Sequence, residues 1–293
     1  MAIDAACANG TTGSVGSLRL LCQNARFSSW WYFLPLPLAS YPLDQGVRAW
    51  GLAASGVALG AACLAVAYFV NNLADRMVDR DPVKNPCIGF EATEGWLLYA
   101  ALVSAAALLG GFMVNGTVGF AVAISVLAGW MYSHTGRLKQ YPVLGTLANL
   151  GIFTPLCLLC SQGDAVQPYT ISLMVVASIL VLQNQLLHEM MDANEDRGRV
   201  MTTFLWCGRG PTLGALVVLG AFLLAWLATH LHPTFTGLLC LATFVVTEVL
   251  APWQAARHTQ DAESMRQVRV RIRTLGAVGG VLLYLHILQT GGR

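Results

Sequence analysis

Apolar residues fill most of the chain in long runs separated by a few polar connections. Nine such runs lie at 27–43, 47–71, 95–114, 116–133, 143–161, 168–188, 211–230, 233–254 and 271–289. Each is measured against the roughly 20 apolar residues a helix needs to cross the hydrocarbon core of a bilayer. The first is interrupted by Pro35, Pro37 and Pro42, which membrane helices tolerate where neighbours resatisfy the backbone. The long polar connections are 72–94, 134–142, 189–210 and 255–270; the others are very short, and none reads as a domain linker. Residues 1–25 are small and polar, without the basic-then-apolar order of a signal peptide. The pattern predicts an all-α, polytopic membrane protein. It has a flexible tail over 1–25 and a single domain over 26–293 with about nine transmembrane helices.

Composition points the same way. Of the 293 residues, 56% are hydrophobic and only 11% charged, with a mean hydropathy of +0.59, whereas soluble domains carry about 25% charged residues. A net charge of +2 gives no electrostatic case for nucleic acid. The eight cysteines are scattered and mostly sit in apolar runs, where cysteine behaves as a small hydrophobe. Cys157-x-x-Cys160 has the spacing of a metal or redox pair, but it lies inside an apolar run with no second pair nearby.

Two polar stretches stand out. Asn71-Asn72-Leu73-Ala74-Asp75-Arg76-Met77-Val78-Asp79 begins where one apolar run ends, and Asn71, Asp75 and Asp79 fall four residues apart, on one face of a helix. His188-Glu189-Met190-Met191-Asp192-Ala193-Asn194-Glu195-Asp196 repeats that register at the end of another apolar run. Here Asp192 stands for Asp75 and Asp196 for Asp79. A lone pair of carboxylates is ordinarily a solvated helix end; its repetition in two apolar halves argues against that. Amide and carboxylate oxygens aimed at one point suit a hard divalent cation such as Mg²⁺, completed by water and substrate phosphates.

Charge orients the bundle. With nine spans, fifteen of the 17 basic residues share the side that holds both acidic stretches, and only Arg48 and Arg293 fall opposite. The positive-inside rule then places the N-terminus and both stretches in the cytoplasm and the C-terminus on the opposite face. Carboxylates at this depth are expensive unless paired or lining a wet cavity. On the same side, Tyr132-Ser133-His134-Thr135-Gly136-Arg137-Leu138-Lys139-Gln140-Tyr141-Pro142 precedes Gly145 and Asn149. Arg137 as a fork and Lys139 as a point charge can meet a phosphate, or serve only to orient the chain. Among the cations flanking the acidic stretches, Lys84 and Arg197 are further phosphate candidates, while others neutralise carboxylates. Carboxylates interleaved with cations on one rim, backed by an apolar bundle, describe a site for a diphosphate carrying a long hydrocarbon chain.

These stretches, with Lys84-Asn85-Pro86, Tyr132-Ser133…Arg137-Leu138-Lys139…Pro142…Gly145 and Asp192…Asp196-Arg197-Gly198…Thr202-Thr203…Gly208, resemble the UbiA superfamily of intramembrane prenyltransferases over residues 25–290. The resemblance implies nine helices around a central cavity open to lipid. It implies a Mg²⁺ and diphosphate set of Asn71, Asp75, Asp79, Asp192 and Asp196, with Arg137 and Lys139 on the diphosphate. Asn72 stands where the family often has Asp, and His188-Glu189 replaces a more usual Asn/Asp pair. Whether His188 or Glu189 touches metal, takes a proton from an acceptor or supports Asp192 stays open. Tyr132, Asn149, His188 and Glu189 are candidates for the cavity or acceptor side. The implied activity is Mg²⁺-dependent transfer of a prenyl group from an isoprenoid diphosphate to an aromatic or other lipophilic acceptor, with no obligate protein partner evident. A membrane terpene cyclase, with the same metal motifs and no acceptor, is the alternative. A transporter fits the clustered carboxylates and cations less well. The connections 80–94 and 197–210 are expected to close over the bound diphosphate.

Overall fold

The computed structural model describes residues 23–42, 50–79, 85–88, 93–134, 137–163, 166–258 and 261–290, and all regular structure among them is helical. The helices are α1 (Trp50–Asp75), α2 (Thr93–Val114), α3 (Gly116–Ser133), α4 (Leu144–Phe153), α5 (Pro168–Asp196), α6 (Thr203–Cys207), α7 (Arg209–His230), α8 (Phe235–His258) and α9 (Ala262–Thr290). Seven of them (α1, α2, α3, α5, α7, α8 and α9) are long and apolar enough to cross a membrane. Their apolar side chains are far from fully covered: α2 buries only 22% of its most apolar window. Leu98, Leu102, Leu109 and Met113 point outward. Such a surface is costly in water and costless against lipid tails, so it marks an integral membrane protein.

The remaining two expected spans differ in kind from the other seven. Residues 143–161 form the ten-residue α4 followed by a 3-10 segment at Thr154–Leu158, an apolar helix shorter than a standard span. Residues 27–43 do not form a continuous helix; they run as three 3-10 turns, Phe27–Ser29, Trp31–Phe33 and Leu36–Ser40. Proline supplies no N–H and clashes with the preceding turn, so Pro35 and Pro37 break the α-helical ladder. The segment still runs the height of the bundle. It starts with Asn24 against Asn72, near the end of α1, and reaches Tyr41, whose carbonyl accepts from Tyr169 at the start of α5 (2.8 Å). The expected tail falls mostly on residues 1–22, outside the described residues.

The helices form two groups of four. In the first, α1, α2, α3 and α4 pack together; in the second, α5 is packed by α7 and α9, and α8 by both of those. Each group begins with a helix that ends in an acidic stretch, and α4 packs on α5 to join them. The N-terminal 3-10 segment wedges between the groups: Leu36 packs on the cores of both, and Phe33 stacks on Phe153 with centroids 4.2 Å apart. Buried polar residues stitch the helices. Asn115 caps α3 by accepting from the Val118 amide (2.9 Å) and donates to the Ser161 carbonyl (2.7 Å). Gln183 on α5 donates to Glu248 on α8, in a space left by Gly220 on α7.

Gly56 marks the closest approach of α1 to the chain after α4. A Cβ there would stand 2.8 Å from the Leu159 carbonyl oxygen, a backbone atom that cannot step aside. Overpacking of this sort typically costs about 1–3 kcal/mol. The Gly56→Leu variant should therefore unfold at a clearly lower temperature in detergent. An unchanged melting profile by fluorescence-detected size exclusion would refute the close contact.

Candidate active site

The first acidic stretch straddles a helix end. α1 stops at Asp75, and the amides of Val78 and Asp79 turn back to the Asp75 carbonyl (2.8 and 2.9 Å). Asn71 and Asp75 therefore share the last turns of the helix, while Asp79 lies just beyond it. Arg76 donates to the Leu73 carbonyl (3.0 Å), a cation at a helix C-terminus where unpaired carbonyls favour one. Asn72 faces the interior and is fully buried; its side chain donates to the Asn24 carbonyl (3.2 Å) and accepts from Arg26 (3.3 Å). Asn85 holds the following turn by donating to the Asn72 carbonyl and to Asp79 Oδ2, both at 2.9 Å. Burial pushes the nearby Cys87 thiol up to about 12. It stays protonated and donates to Asn24 Oδ1 (2.9 Å).

One ammonium group occupies the ligand face of this stretch. Arg137 adopts a left-handed backbone (φ 44°) that starts the 3-10 turn Leu138–Gln140 and aims Lys139 inward. Lys139 Nζ pairs with the Asp75 carboxylate and donates to Asn71 Oδ1 (3.4 Å), which also accepts from the Ser133 hydroxyl (2.9 Å). The two oxygens that sequence spacing aligned thus already hold a cation between them. Arg137 itself is exposed and lines a cavity of about 210 Å³ with Arg76 and His134.

The second stretch stays helical through Asp196, the last residue of α5. His188 Nδ1 lies 3.3 Å from Asp192 Oδ2, an ion pair when the imidazole is protonated. Glu189, by contrast, is buried and turned away into a joint. Its carboxylate accepts from Thr146 of α4 (2.8 Å), from Gln185 one turn earlier (3.2 Å) and from the Phe204 amide at the start of α6 (3.0 Å). The chain of hydroxyls continues through Thr203, 2.6 Å from Thr146, which accepts from the Val143 amide (2.9 Å). The connection 197–210 is therefore built partly as α6, docked on the Glu189 joint. Arg197 is exposed. Tyr132 is half-buried, its hydroxyl against Asn149 and Gln185, and Asn149 donates to the Gly145 carbonyl (3.0 Å). Lys84 and much of 80–94 lie outside the described residues. Among the described residues no three His, Cys, Asp or Glu side chains gather around one point. Thr146 and Gln185 were absent from the sequence-derived set. For Gln185 the available signal was a polar residue inside an apolar run, four positions before the Glu189 carboxylate; for Thr146 it was only a polar residue inside an apolar run.

Glu189 has its acceptor capacity filled by three donors, which makes it a structural joint. Glu189→Leu strands those donors, at about 1–3 kcal/mol for each left unsatisfied. It should raise hydrogen exchange at residues 202–208 by about tenfold or more, since 1.4 kcal/mol is a factor of ten in an equilibrium. Glu189→Gln should keep turnover within about tenfold of wild type. A loss of about a thousandfold in Glu189→Gln with unchanged exchange would instead make this group a proton acceptor.

Comparison with known proteins follows the same outline. The family model described as "UbiA prenyltransferase family" matches residues 33–273. No curated protein sequence matches the chain significantly. Among solved structures, a UbiA homologue from Archaeoglobus fulgidus bound to GPP and Mg²⁺ superposes with a TM-score of 0.71 at 18% identity. The match covers 92% of this chain and 99% of that one. A digeranylgeranylglyceryl phosphate synthase gives a TM-score of 0.70 at 10% identity, over 94% and 99% of the two chains. A UbiA homologue from Aeropyrum pernix K1 gives 0.58 at 15% identity, over 94% and 98%. At these identities the structures establish a shared fold.

Proposed function

The chain belongs to the UbiA prenyltransferase family, and from that premise we propose that it transfers a prenyl group from an isoprenoid diphosphate to an aromatic or other lipophilic acceptor, with Mg²⁺ as cofactor. The observation that carries the reading is the cation seat at Asn71 and Asp75, where Lys139 is held by the two aligned oxygens. An amide and a carboxylate that already converge on a positive charge fit a hard divalent ion. Asn71, Asp75 and Asp79 from one half, with Asp192 and Asp196 from the other, would hold Mg²⁺. When bound, the metal neutralises charge that builds on the departing pyrophosphate. GPP and DMAPP, found with Mg²⁺ in the Archaeoglobus homologue, exemplify the donor class.

The chain's own residues supply the rest. Lys139, released from Asp75, can turn its ammonium to the phosphate oxygens, with Arg137 and Arg197 as further donors and Lys84, by its sequence position after the first acidic stretch, as another. Breaking the allylic C–O bond leaves a carbocation that water would quench, so the apolar interior between the two helix groups keeps it dry. Tyr32 and Tyr68 supply aromatic faces. The acceptor carbon then forms the new bond to the allylic carbon and releases its proton to solvent or to the departing pyrophosphate. Fifteen of the 17 basic residues share the acidic side under nine crossings, which sets that rim and the N-terminus in the cytoplasm and the C-terminus opposite.

The direct test supplies labelled allylic diphosphates of several lengths, with and without acceptors, and follows pyrophosphate release and product. Turnover should vanish in excess EDTA and return with Mg²⁺. Asp75→Ala and Asp192→Ala should each lose about 10²–10³-fold or more while inserting and folding normally, because such carboxylates act on transition-state charge. Undiminished release in EDTA, or near-normal turnover in both variants, would defeat the reading; product formed without any acceptor would favour a cyclase.

Topology has its own check. A reporter fused after Arg293 should read as non-cytoplasmic. A cytoplasmic reading would mean that one of the two unusual segments, 27–43 or 144–158, does not cross.

A further inference from the structure

Two guanidinium groups meet on the inner side of α9. Arg269 Nε and Arg273 Nε both donate to Asn184 Oδ1 on α5, at 3.1 and 2.7 Å. Arg273 also lies over the Tyr32 ring, its guanidinium carbon 4.8 Å from the centroid. Tyr68 and Asp192 are near enough to act electrostatically on Arg269. Side chains from α9, α5, α1 and the N-terminal 3-10 segment therefore converge on one place.

Among the described residues, neither guanidinium forms an ion pair with a carboxylate. Each guanidinium carries five N–H donors, and the pair shares a single amide oxygen. Like charges brought together inside an apolar bundle are costly unless an anion joins them. Orienting the chain in the membrane requires only positive charge near a helix end, with no convergence and no shared acceptor. Arginine forks suit the planar oxygens of a carboxylate or phosphate, and stacking on an aromatic ring holds such a fork in place.

Depth separates this place from the acidic rim. Asn184 precedes Asp192 by eight residues on α5, about 12 Å along the axis at 1.5 Å per residue. The anchoring point thus lies about two turns deeper than the carboxylates, toward the apolar interior.

We propose that Arg269 and Arg273 form an oxyanion-binding site where α9 meets α5 and the N-terminal 3-10 segment, with Asn184 as a positioning residue and Tyr32 as the platform under Arg273. The proposal deepens the prenyl-transfer reading and rests on it. The bound group is a carboxylate or phosphate, supplied either by an acidic acceptor or by the donor's diphosphate reaching down from the rim.

The test uses the full-length protein in detergent, as wild type, Arg273→Gln, Arg273→Lys and Arg269→Gln, with folding checked by circular dichroism and size exclusion. Two probes are titrated calorimetrically: benzoate in EDTA, and an unreactive geranyl thiodiphosphate with Mg²⁺. At least one should bind the Gln variants about tenfold or more weakly than wild type, with Arg273→Lys intermediate because it keeps the charge and loses the fork. Weakening of benzoate alone assigns the site to the acceptor; weakening of the thiodiphosphate assigns it to the donor. Wild-type affinities retained within about twofold in the folded variants, for every probe that binds, would overturn the site, as would wild type binding neither probe. A lowered melting temperature with unchanged affinity would overturn it too. The benzoate arm needs neither metal nor prenyl donor, so its outcome stands apart from any failure of the prenyl-transfer reading, which thiodiphosphate binding to wild type tests directly.

Discussion

Asp75 has to be met by positive charge, and much of the rim is arranged to do so. A carboxylate at the end of an apolar helix loses hydration, and the effective penalty runs to about several kcal/mol per ion when it is left alone. Lys139 meets it from another helix pair. That reach depends on the left-handed Arg137 and the 3-10 turn after it, and the turn sits tightly on α4 at Gly145. A Cβ on Gly145 would stand 3.0 Å from Lys139 Cα and 3.1 Å from the Leu138 carbonyl. Ser133, the last residue of α3, fixes Asn71 alongside. Three helices and a turn are thus committed to holding one ammonium against two oxygens. An ammonium is exchangeable for a divalent ion in a way a packed side chain is not, which makes this arrangement compatible with the proposed metal.

The two halves solve the same problem differently. In the first, the buried Asn72 carries no charge and is spent on structure, binding the segment at Asn24–Arg26 to α1. An Asp there could still accept from Arg26, but it would turn its second oxygen toward two acceptors, the Asn24 carbonyl and Asn24 Oδ1, and lose both donations. In the second half, the matching residue Glu189 has a carboxyl group that accepts from three donors belonging to α4, α5 and α6. The position next to the aligned stripe is a structural joint in both halves, while the stripe of the first half meets Lys139 and Ser133. That division accounts for the uncharged Asn72 in the first half without removing any oxygen from the proposed metal set.

Much of this was legible because membrane helices obey simple rules. Apolar length gave five of the seven long helices to within about four residues. It ended α5 eight residues early, at 188 instead of Asp196, and began α9 nine residues late, at 271 instead of Ala262. Four-residue spacing aligned Asn71 with Asp75 and Asp192 with Asp196. What periodicity could not show was where a helix ends: Asp79 lies past α1, whereas Asp196 closes α5. Nor could it show the direction of a long side chain. Arg269 and Arg273 entered the sequence argument only as charges on one side of the membrane, yet both turn inward to Asn184. Glu189 looked like a possible base because its three donors come from residues 15 to 43 positions away and from its own preceding turn, and only folding brings them together.

The proline-rich first segment is the clearest case of tertiary packing deciding secondary structure. Its prolines rule out a regular α-helix, and an isolated run of 3-10 turns has poor hydrogen-bond geometry. The segment is held instead by what lies on either side: Asn72 at one end, Thr170 donating to the Ala39 carbonyl (3.0 Å) at the other, and Phe153 and Gly60 along its length. An α-helix at this place would have presented one narrow stripe to each group. The 3-10 turns let Leu36 serve both cores, and they leave Tyr32 beneath Arg273. The irregular segment therefore joins the two helix groups while exposing an aromatic face to the space between them. An irregular backbone inside a membrane is stable only where protein or a wet cavity surrounds it, and here both the packing and the proposed oxyanion site lie along the same stretch of chain.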